Sequence, residues 1–506
     1  MHTARRPMPT RPGTLLVVLF AALATACGGS ESSGAPSGPS APVAPVPTQS
    51  TAGVVYVRTD SVPYVPSFTP STPLPNARVS LAGTVAVAGT DGAFTLQTSV
   101  SATKTAVPLT VSLTGYQDAS LPWLYAEIGQ PVAIGMYREV PVTARPGFLK
   151  GVTLMDEGGW LPGMLREGLL APTLDRIQST VGANLVQYID QMFITQVNAT
   201  TNAVTIVPDV WGMGTREMYV PMVAAAKARG MQFMMEIGLS PGGPEANDIG
   251  LIDKNNTALW DAFFAAWRPL VLERATIARD LGVEYLSLGH NLGYLSRTDV
   301  ARWRSLIASI RGVGYTGKIT YFANVGHLLF DPTQWVTEWT TVDPAFAGLF
   351  DLLGVNIYDP VAKVSATEVL DRAQTRTRMR TGFAALMAKL ASQPKPLLIQ
   401  VATPSVFGGV INSEYIEPCN TASCNSVANQ RTRVYQQQAD VYQAVFETIN
   451  GSAQGNGRPL GLTTWGYHFR DDPLMGLGHG DAAFDKSASV RGKPAEYVMK
   501  WWYQRL

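Results

Sequence analysis

Short, continuous apolar runs alternate with longer segments of helical period between residues 147 and 506. Continuous apolar strands are typical of a parallel sheet that helices cover. The pattern contains eight strand–helix units, which predicts a closed (β/α)8 barrel, the TIM-barrel form of the α/β class. The alternative is an open, doubly wound sheet, which usually has a Gly-rich phosphate loop after its first strand. The segment GVTLMDEGGW, residues 151–160, lacks that spacing.

The predicted strands are residues 148–155, 183–190, 231–238, 283–291, 317–324, 349–359, 394–402 and 460–469. Helices are predicted near residues 169–181, 215–229, 257–281 and 297–311, and the segment AEYVMKWWYQRL follows the last strand.

The segment before the barrel, residues 51–145, alternates apolar and polar positions with a period of two. Runs such as VAVAGTDGAFTLQTSV contain an Asp-Gly turn signal, which predicts a small all-β sandwich. The order of its strands resembles the carboxypeptidase-regulatory-like or transthyretin-like sandwiches found beside exported enzymes. No catalytic constellation is visible in this segment, so we expect an accessory domain.

The first residues resemble a bacterial lipoprotein signal peptide, residues 1–26. Arg5, Arg6 and Arg11 precede an apolar run, residues 14–26, that is short for a membrane span. Cys27 follows two small residues and is the expected lipidation site. Residues 27–50 are rich in Ser, Gly and Pro, which is typical of a flexible tether. We therefore expect a lipid-anchored protein in the periplasm or at the cell surface. The alternative is ordinary secretion with cleavage near Ala26.

The net charge and the cysteines limit which binding partners and cross-links we expect. The net charge of +1 gives no indication of nucleic acid as a partner. Membrane contact is expected only through the N-terminal lipid, and no cofactor is predicted. Cys419 and Cys424 are close in sequence, and exported proteins meet an oxidising compartment, so we expect a disulfide. A metal site is the alternative, but it needs further ligands and this loop has no His.

Polar residues follow the apolar strands at their C-terminal ends, where (β/α)8 barrels hold their active sites. Strand-end Asp and Asn also cap the loop or helix that follows, so each has a structural alternative. The strand-end residues are Asp156, Glu157, Asp190, Glu236, His290, Asn291, Asn324, Tyr358, Asp359, Gln400, Trp465 and His468.

Six of the barrel segments resemble strands of the retaining clan-A glycoside hydrolases, particularly the β-mannanase-like barrels. The resemblance covers most of the barrel and none of the sandwich. The segments are GANLVQYIDQMF, AAAKARGMQFMMEIGL, YLSLGHNLGYL, DLLGVNIYDP, KPLLIQVATPS and LGLTTWGYHF.

The resemblance implies an acid/base glutamate after the fourth strand and a nucleophilic glutamate after the seventh. This chain has Asn291 and Gln400 there. Neither amide can perform the double displacement, which needs two carboxylates about 5 Å apart. The resemblance therefore implies the fold and a sugar-shaped cleft but not the family's catalytic pair.

One explanation is that the chemistry lies on other strands. The candidate catalytic carboxylates are then Glu236, Asp190, Asp156 and Glu157, because neighbouring carboxylates can serve as acid and base. The expected substrate-binding residues are His290, Asn291, Tyr358, Gln400, Trp465 and His468. Trp465 would stack on the sugar. The other explanation is that catalysis has been lost and the barrel only binds carbohydrate.

Metal-dependent hydrolysis is a third class. Four histidines lie at or beyond strand ends: His290, His327, His468 and His479. Metal-dependent barrel hydrolases commonly carry His-x-His at the first strand, and this chain has none. We therefore predict no metal. The sequence predicts an exported glycoside hydrolase acting on a poly- or oligosaccharide, with a non-catalytic carbohydrate-binding barrel as the alternative.

The lipid anchor gives the first prediction. Cys27→Ala should move the protein from the membrane fraction to the soluble fraction, because the acyl chains provide the membrane affinity. Fractionation of broken cells followed by immunoblotting measures this. A wild-type protein that is already soluble after cell breakage would contradict the lipoprotein interpretation.

Overall fold

The computed structural model describes residues 48–58, 72–99, 106–124, 131–155, 168–208, 214–241, 255–290, 300–325, 337–340, 343–357, 372–393, 395–403, 435–452, 458–468 and 488–506. The residues from Val46 to Leu506 belong to one compact unit.

Two antiparallel-rich sheets form the N-terminal sandwich. One has the strand order β4-β1-β7, and the other has the order β3-β2-β5-β6. The alternating burial of β4 shows why the sequence has a period of two, since every second side chain enters the core. The strands are β1 (Thr48–Val57), β2 (Arg78–Leu81), β3 (Thr84–Val87), β4 (Ala93–Ser99), β5 (Ala106–Ser112), β6 (Ala119–Leu124) and β7 (Val132–Met136).

Strand β1 begins earlier than the sequence indicated. Thr48 already pairs with Ser99 of β4, so the last residues of the predicted tether, 48–50, belong to the sandwich. The correction has a simple cause, because ladder pairing with β4 orders residues whose composition alone is typical of a linker.

Eight parallel strands close into the predicted barrel. Closure is completed where β8 pairs with β9 on one side and with β16 on the other. A TIM barrel preceded by a β-sandwich, the predicted fold, is therefore confirmed. The barrel strands are β8 (Leu149–Met155), β9 (Leu185–Asn198), β11 (Gln232–Pro241), β12 (Tyr285–His290), β13 (Lys318–Asn324), β14 (Leu353–Ile357), β15 (Leu397–Val401) and β16 (Pro459–Thr464).

Two short strands extend this sheet. β10 (Ala203–Pro208) forms a hairpin with the long end of β9, and β17 (Tyr467–His468) pairs with β8. The β9–β10 hairpin was not predicted from the sequence.

Helices pack around the barrel. The helix over Thr257–Leu281 lies where it was predicted. The Asn256 side chain caps its start, and Gly282, with φ of 63°, ends it. Among the described residues, no helix is long and apolar enough to cross a membrane. The helices are α1 (Leu170–Arg176), α2 (Arg216–Lys227), α3 (Thr257–Leu281), α4 (Val300–Gly312), α5 (Pro344–Ala347), α6 (Arg372–Lys389), α7 (Tyr435–Gly451) and α8 (Pro494–Tyr503).

The interior of the barrel begins with an apolar layer at the N-terminal ends of the strands. Side chains from successive strands meet there and exclude water, so they close the bottom of the barrel. The buried members are Leu149, Leu185, Met234, Tyr285, Phe322, Leu352 and Leu398.

A buried ion pair joins the sandwich to the barrel. Arg58, at the end of β1, donates to both carboxylate oxygens of Asp440 on α7, over 2.8 and 2.6 Å. The Tyr137 hydroxyl donates to the same carboxylate. Burial raises the pKa of Tyr137 well above its usual value; Arg58 opposes this shift and Asp440 adds to it. Both side chains of the ion pair have no exposed surface, so each charge depends on the other for compensation.

This junction gives the second prediction. Asp440→Asn should lower the free energy of unfolding by about 3 kcal/mol, because it leaves the Arg58 guanidinium buried without a counter-charge. The control is Asp261→Asn, since Asp261 pairs with Arg302 over 2.8 Å but its side chain is 65% exposed. That variant should lose less than about 1 kcal/mol. Urea unfolding of the two variants measures the difference, and equal losses would contradict it.

Candidate active site

Polar side chains lie above the apolar layer and form a chain of hydrogen bonds that we name the polar belt: Gln400, Thr153, Gln187, Glu236 and His290. Nε2 of Gln400 donates to the Thr153 hydroxyl over 3.2 Å, and this hydroxyl donates to Oε1 of Gln187 over 3.1 Å. Since β16 separates the strands of Gln400 and Thr153, their contact runs through the barrel interior. The belt satisfies polar groups that the closed barrel removes from water.

Glu236 is the charged member of the belt. Its side chain has no exposed surface, and both of its oxygens accept hydrogen bonds. Oε1 lies 2.6 Å from Nδ1 of His290, and Oε2 accepts from Nε2 of Gln187. The carboxylate is therefore fixed in orientation by two neighbouring strands, β9 and β12.

A β-bulge turns His290 towards Glu236. The pairing of β12 with β13 shifts between Ser287 and His290, so that three residues of β12 advance against two of β13. Gly289, inside the bulge, has a φ of 122°. Residues other than glycine rarely adopt this backbone conformation. Strict alternation would place His290 on the helix side of the sheet, opposite to Ser287. The bulge reverses this, as bulges beside active sites often do.

Trp465 packs edge-to-face with the His290 ring. The two ring centroids are 5.3 Å apart, and the ring planes meet at 74°. Trp465 is 7% exposed and packs with Ile189, Ala402 and Ala488. The imidazole side chain is 13% exposed, so it is the part of the Glu236–His290 pair that reaches accessible surface.

Asp190, predicted as a catalytic partner of Glu236, lies on the other face of the sheet. The strand register places Ile189 beside Glu236 and Asp190 beside Ile237, and successive residues of a strand point to opposite faces. Asp190 is fully buried and paired with Arg274 of α3. The prediction that Asp190 and Glu236 form an acid and base pair is therefore corrected.

The outer face is built around this second ion pair. Burial alone would lower the pKa of Arg274, but the charge of Asp190 and its hydrogen bond raise it above the usual value. Gly214 is required beside Asp190, because a Cβ atom there would lie 2.2 Å from a carboxylate oxygen. These contacts join strand to helix and give Asp190 a structural role.

Several predicted site residues lie outside the described residues, so their roles remain predictions. For His468 the structure gives only its backbone pairing with Met155. Among the described residues, no group of three or more His, Cys, Asp and Glu side chains is arranged to hold a metal ion. Outside the described residues lie Asp156, Glu157, Asn291, Tyr358, Asp359, His327, His479, Cys27, Cys419 and Cys424.

Sequence reasoning missed Gln187 and Thr153. A signal was present for Gln187, since it interrupts the otherwise apolar run LVQYI, residues 185–189. A buried amide in such a run needs partners for both its donor and its acceptor. Thr153 gave no comparable signal, because Thr is common in strands.

Comparison with known proteins places this barrel among glycoside hydrolase folds. Residues 178–384 match the family model of Glycoside Hydrolase Family 113. A structure of a family 113 β-1,4-mannanase shares 18% sequence identity at a TM-score of 0.52, and the match covers 71% of this chain and 99% of that one. A complex of a family 113 β-1,4-mannanase matches over the same shares, with 19% identity and a TM-score of 0.51.

A third match is the family 113 β-mannanase of Alicyclobacillus acidocaldarius in complex with ManMIm. It shares 19% identity at a TM-score of 0.50, and the match covers 71% of this chain and 97% of that one. No curated protein matches this chain. The structural matches show the fold, and with the family match they confirm the resemblance to β-mannanase-like glycoside hydrolases. They support the expected O-glycosyl hydrolase without identifying its catalytic groups.

Proposed function

We propose that this protein is an exported glycoside hydrolase that cleaves a β-linked polysaccharide of the mannan type at the mouth of its barrel. The family match and the three mannanase structures support the reaction class and the substrate. The polar belt, which ends in Glu236 and His290, supports the position of the site at the C-terminal ends of the strands.

The partner of Glu236 is the observation that carries the proposal. A guanidinium keeps its charge at physiological pH, whereas an imidazole gains and loses a proton there. Glu236 contacts an imidazole, so its partner can take part in proton transfer. Other fully buried carboxylates of the described residues are paired with arginine, as expected for structural ion pairs: Asp190 with Arg274, Asp440 with Arg58, and Glu496 with Arg176.

Export and anchoring through Cys27 are part of the proposal. They are supported by the basic residues, the apolar run and the small residues before Cys27. A polysaccharide is too large to enter a cell intact, so an extracytoplasmic position suits an enzyme that shortens it. Membrane fractionation of Cys27→Ala tests this part separately.

Gln400 supports a second candidate function, a carbohydrate-binding barrel without catalysis. It lies on β15, the seventh barrel strand, where the related families carry their nucleophile. The side chain is fully buried and donates to Thr153 inside the belt. An amide in this role cannot form a glycosyl intermediate. Binding without cleavage is therefore the outcome that would favour the second candidate.

The third prediction tests the proposed function. The wild-type protein should release reducing ends from β-1,4-mannan, and Glu236→Gln should lower kcat/KM by at least about 100-fold, as expected when proton transfer is impaired. The control is Glu217→Gln, since Glu217 lies exposed in the first turn of α2. It should keep wild-type activity. Reducing-sugar assays on mannan, xylan, cellulose and galactan measure both the activity and its preference.

Two results would contradict the proposal. If wild-type protein binds mannan in a pull-down assay but releases no reducing ends from any of the glycans, the barrel is a binding protein. If Glu236→Gln keeps full activity, the glycosidase site lies elsewhere at the mouth, and Asp156 and Glu157 become the carboxylates to substitute.

A further inference from the structure

We propose that His290, rather than a carboxylate, is the group that transfers a proton to the glycosidic oxygen, and that Glu236 and Gln187 are positioning residues. This inference rests on the proposed function, since it concerns the chemistry of the same site. It reverses the roles expected from the sequence, in which Glu236 acts on the substrate and His290 binds a hydroxyl.

The geometry of Glu236 excludes it as the group that meets the substrate. Its side chain has no exposed surface. Each carboxylate oxygen already accepts a hydrogen bond, one from Gln187 and the other at Nδ1 of His290. To donate a proton to a ligand, the carboxyl group would have to leave both partners.

The same contacts leave one nitrogen of His290 for the substrate. Because Nδ1 faces a carboxylate that accepts hydrogen bonds, the neutral ring keeps its proton on Nδ1. Nε2 makes no hydrogen bond with any residue that the structure describes, and the side chain is 13% exposed. Nε2 is therefore the ring nitrogen from which a proton passes to the substrate.

The belt restricts the rotation of this pair. Gln187 takes a hydrogen bond from Thr153 and gives one to Glu236, so its amide cannot turn over without breaking both. Trp465 packs against the imidazole, with 5.3 Å between the ring centroids. The imidazole thus contacts both a fixed carboxylate and an indole, and this restraint is the preorganisation that proton transfer requires.

The imidazolium donates its Nε2 proton to the glycosidic oxygen as the bond between C1 and that oxygen breaks, and the bond's electron pair stays on the leaving oxygen. The oxygen of a water molecule bonds to C1, and the proton that this water loses passes to solvent. The neutral imidazole then takes a proton from solvent, so the net reaction is hydrolysis of the glycoside.

Among the described residues, the ionisable group within hydrogen-bond distance of His290 is Glu236 on β11. The neighbouring strand β13 contributes Phe322 and Asn324, and the strand-end loop contributes Trp465; none of these titrates. Since the donor must be protonated, kcat/KM should fall as pH rises.

The fourth prediction compares His290→Ala with Glu236→Gln in the full-length protein. On mannan, His290→Ala should lose at least about 100-fold in kcat/KM, because the leaving oxygen is not protonated. On 2,4-dinitrophenyl β-mannoside, whose leaving group needs no proton, the loss should stay below about tenfold. His290→Ala should also lose the basic limb of the pH profile, and added imidazole should restore part of its activity on mannan but leave the wild type unchanged.

Glu236→Gln should behave differently, because it keeps the imidazole of His290. It should keep the basic limb while the plateau of kcat falls, and added imidazole should not restore it. The opposite pattern, in which Glu236→Gln loses the basic limb and His290→Ala keeps it, would overturn the inference. His290→Gln is the second variant if His290→Ala does not fold, and thermal melts of each variant establish this beforehand.

The protonated nitrogen of His290 can be measured directly. Nitrogen NMR of the wild type with labelled histidine, with His290→Gln for assignment, should show the neutral ring protonated at Nδ1. A neutral ring protonated at Nε2 would overturn the inference.

Activity separates the failure of this inference from the failure of the proposed function. If mannan is cleaved but His290→Ala keeps its rate and pH profile, the inference fails and the proposed function stands. If the wild type cleaves neither substrate, both fail.

Discussion

A carboxylate enclosed in a closed barrel must have hydrogen-bond partners, and the arrangement of the barrel interior follows from this requirement. An unpaired buried charge destabilises a fold by several kcal/mol. Glu236 meets the requirement through Gln187 and His290. Gln187 in turn needs an acceptor and a donor of its own, which brings in Thr153 and then Gln400. The polar belt is thus the set of contacts that makes one buried carboxylate tolerable above an otherwise apolar layer.

The same requirement is met differently on the outside of the barrel. Asp190 and Asp440 are each buried against a guanidinium, which supplies the opposite charge and fixes one element to another. Such pairs suit positions that must not change protonation. The interior carboxylate has an amide and an imidazole instead, which compensate it less completely but leave one partner able to exchange a proton. Buried carboxylates therefore have different partners at the candidate site and in the structural ion pairs.

The sequence contained most of the fold. Continuous apolar strands alternating with helical segments were sufficient for the barrel, and α3 was predicted with its observed bounds. The hairpin of β9 and β10 was missed because residues 191–208 are half-exposed and lack an apolar run. Helix α6 was expected only as part of a strand–helix unit, without bounds, because its polar sequence shows little amphipathic periodicity.

The site was harder to predict than the fold, because the register of a strand decides on which face of the sheet each residue lies. Asp190 and Glu236 both end apolar strands, and the sequence alone does not show that they point in opposite directions. Arg274 was the available signal. It interrupts the buried stripe of α3 that includes Trp267, Val271 and Ala278, and a buried arginine requires an acid on the facing strand. The position of His290 was not predictable, since it depends on a bulge that breaks the alternation.

That bulge makes Gly289 and His290 a unit of two residues. The histidine reaches the interior because the glycine before it adopts a backbone conformation that other residues avoid. In another chain, the face of the sheet on which a histidine at this strand end lies therefore depends on the residue before it. With a bulge at the preceding glycine the histidine reaches the interior, and without one strict alternation places it on the helix side of the sheet. When more distant barrels are compared, Gly-His at the end of the fourth strand is the pattern to look for, rather than the histidine alone.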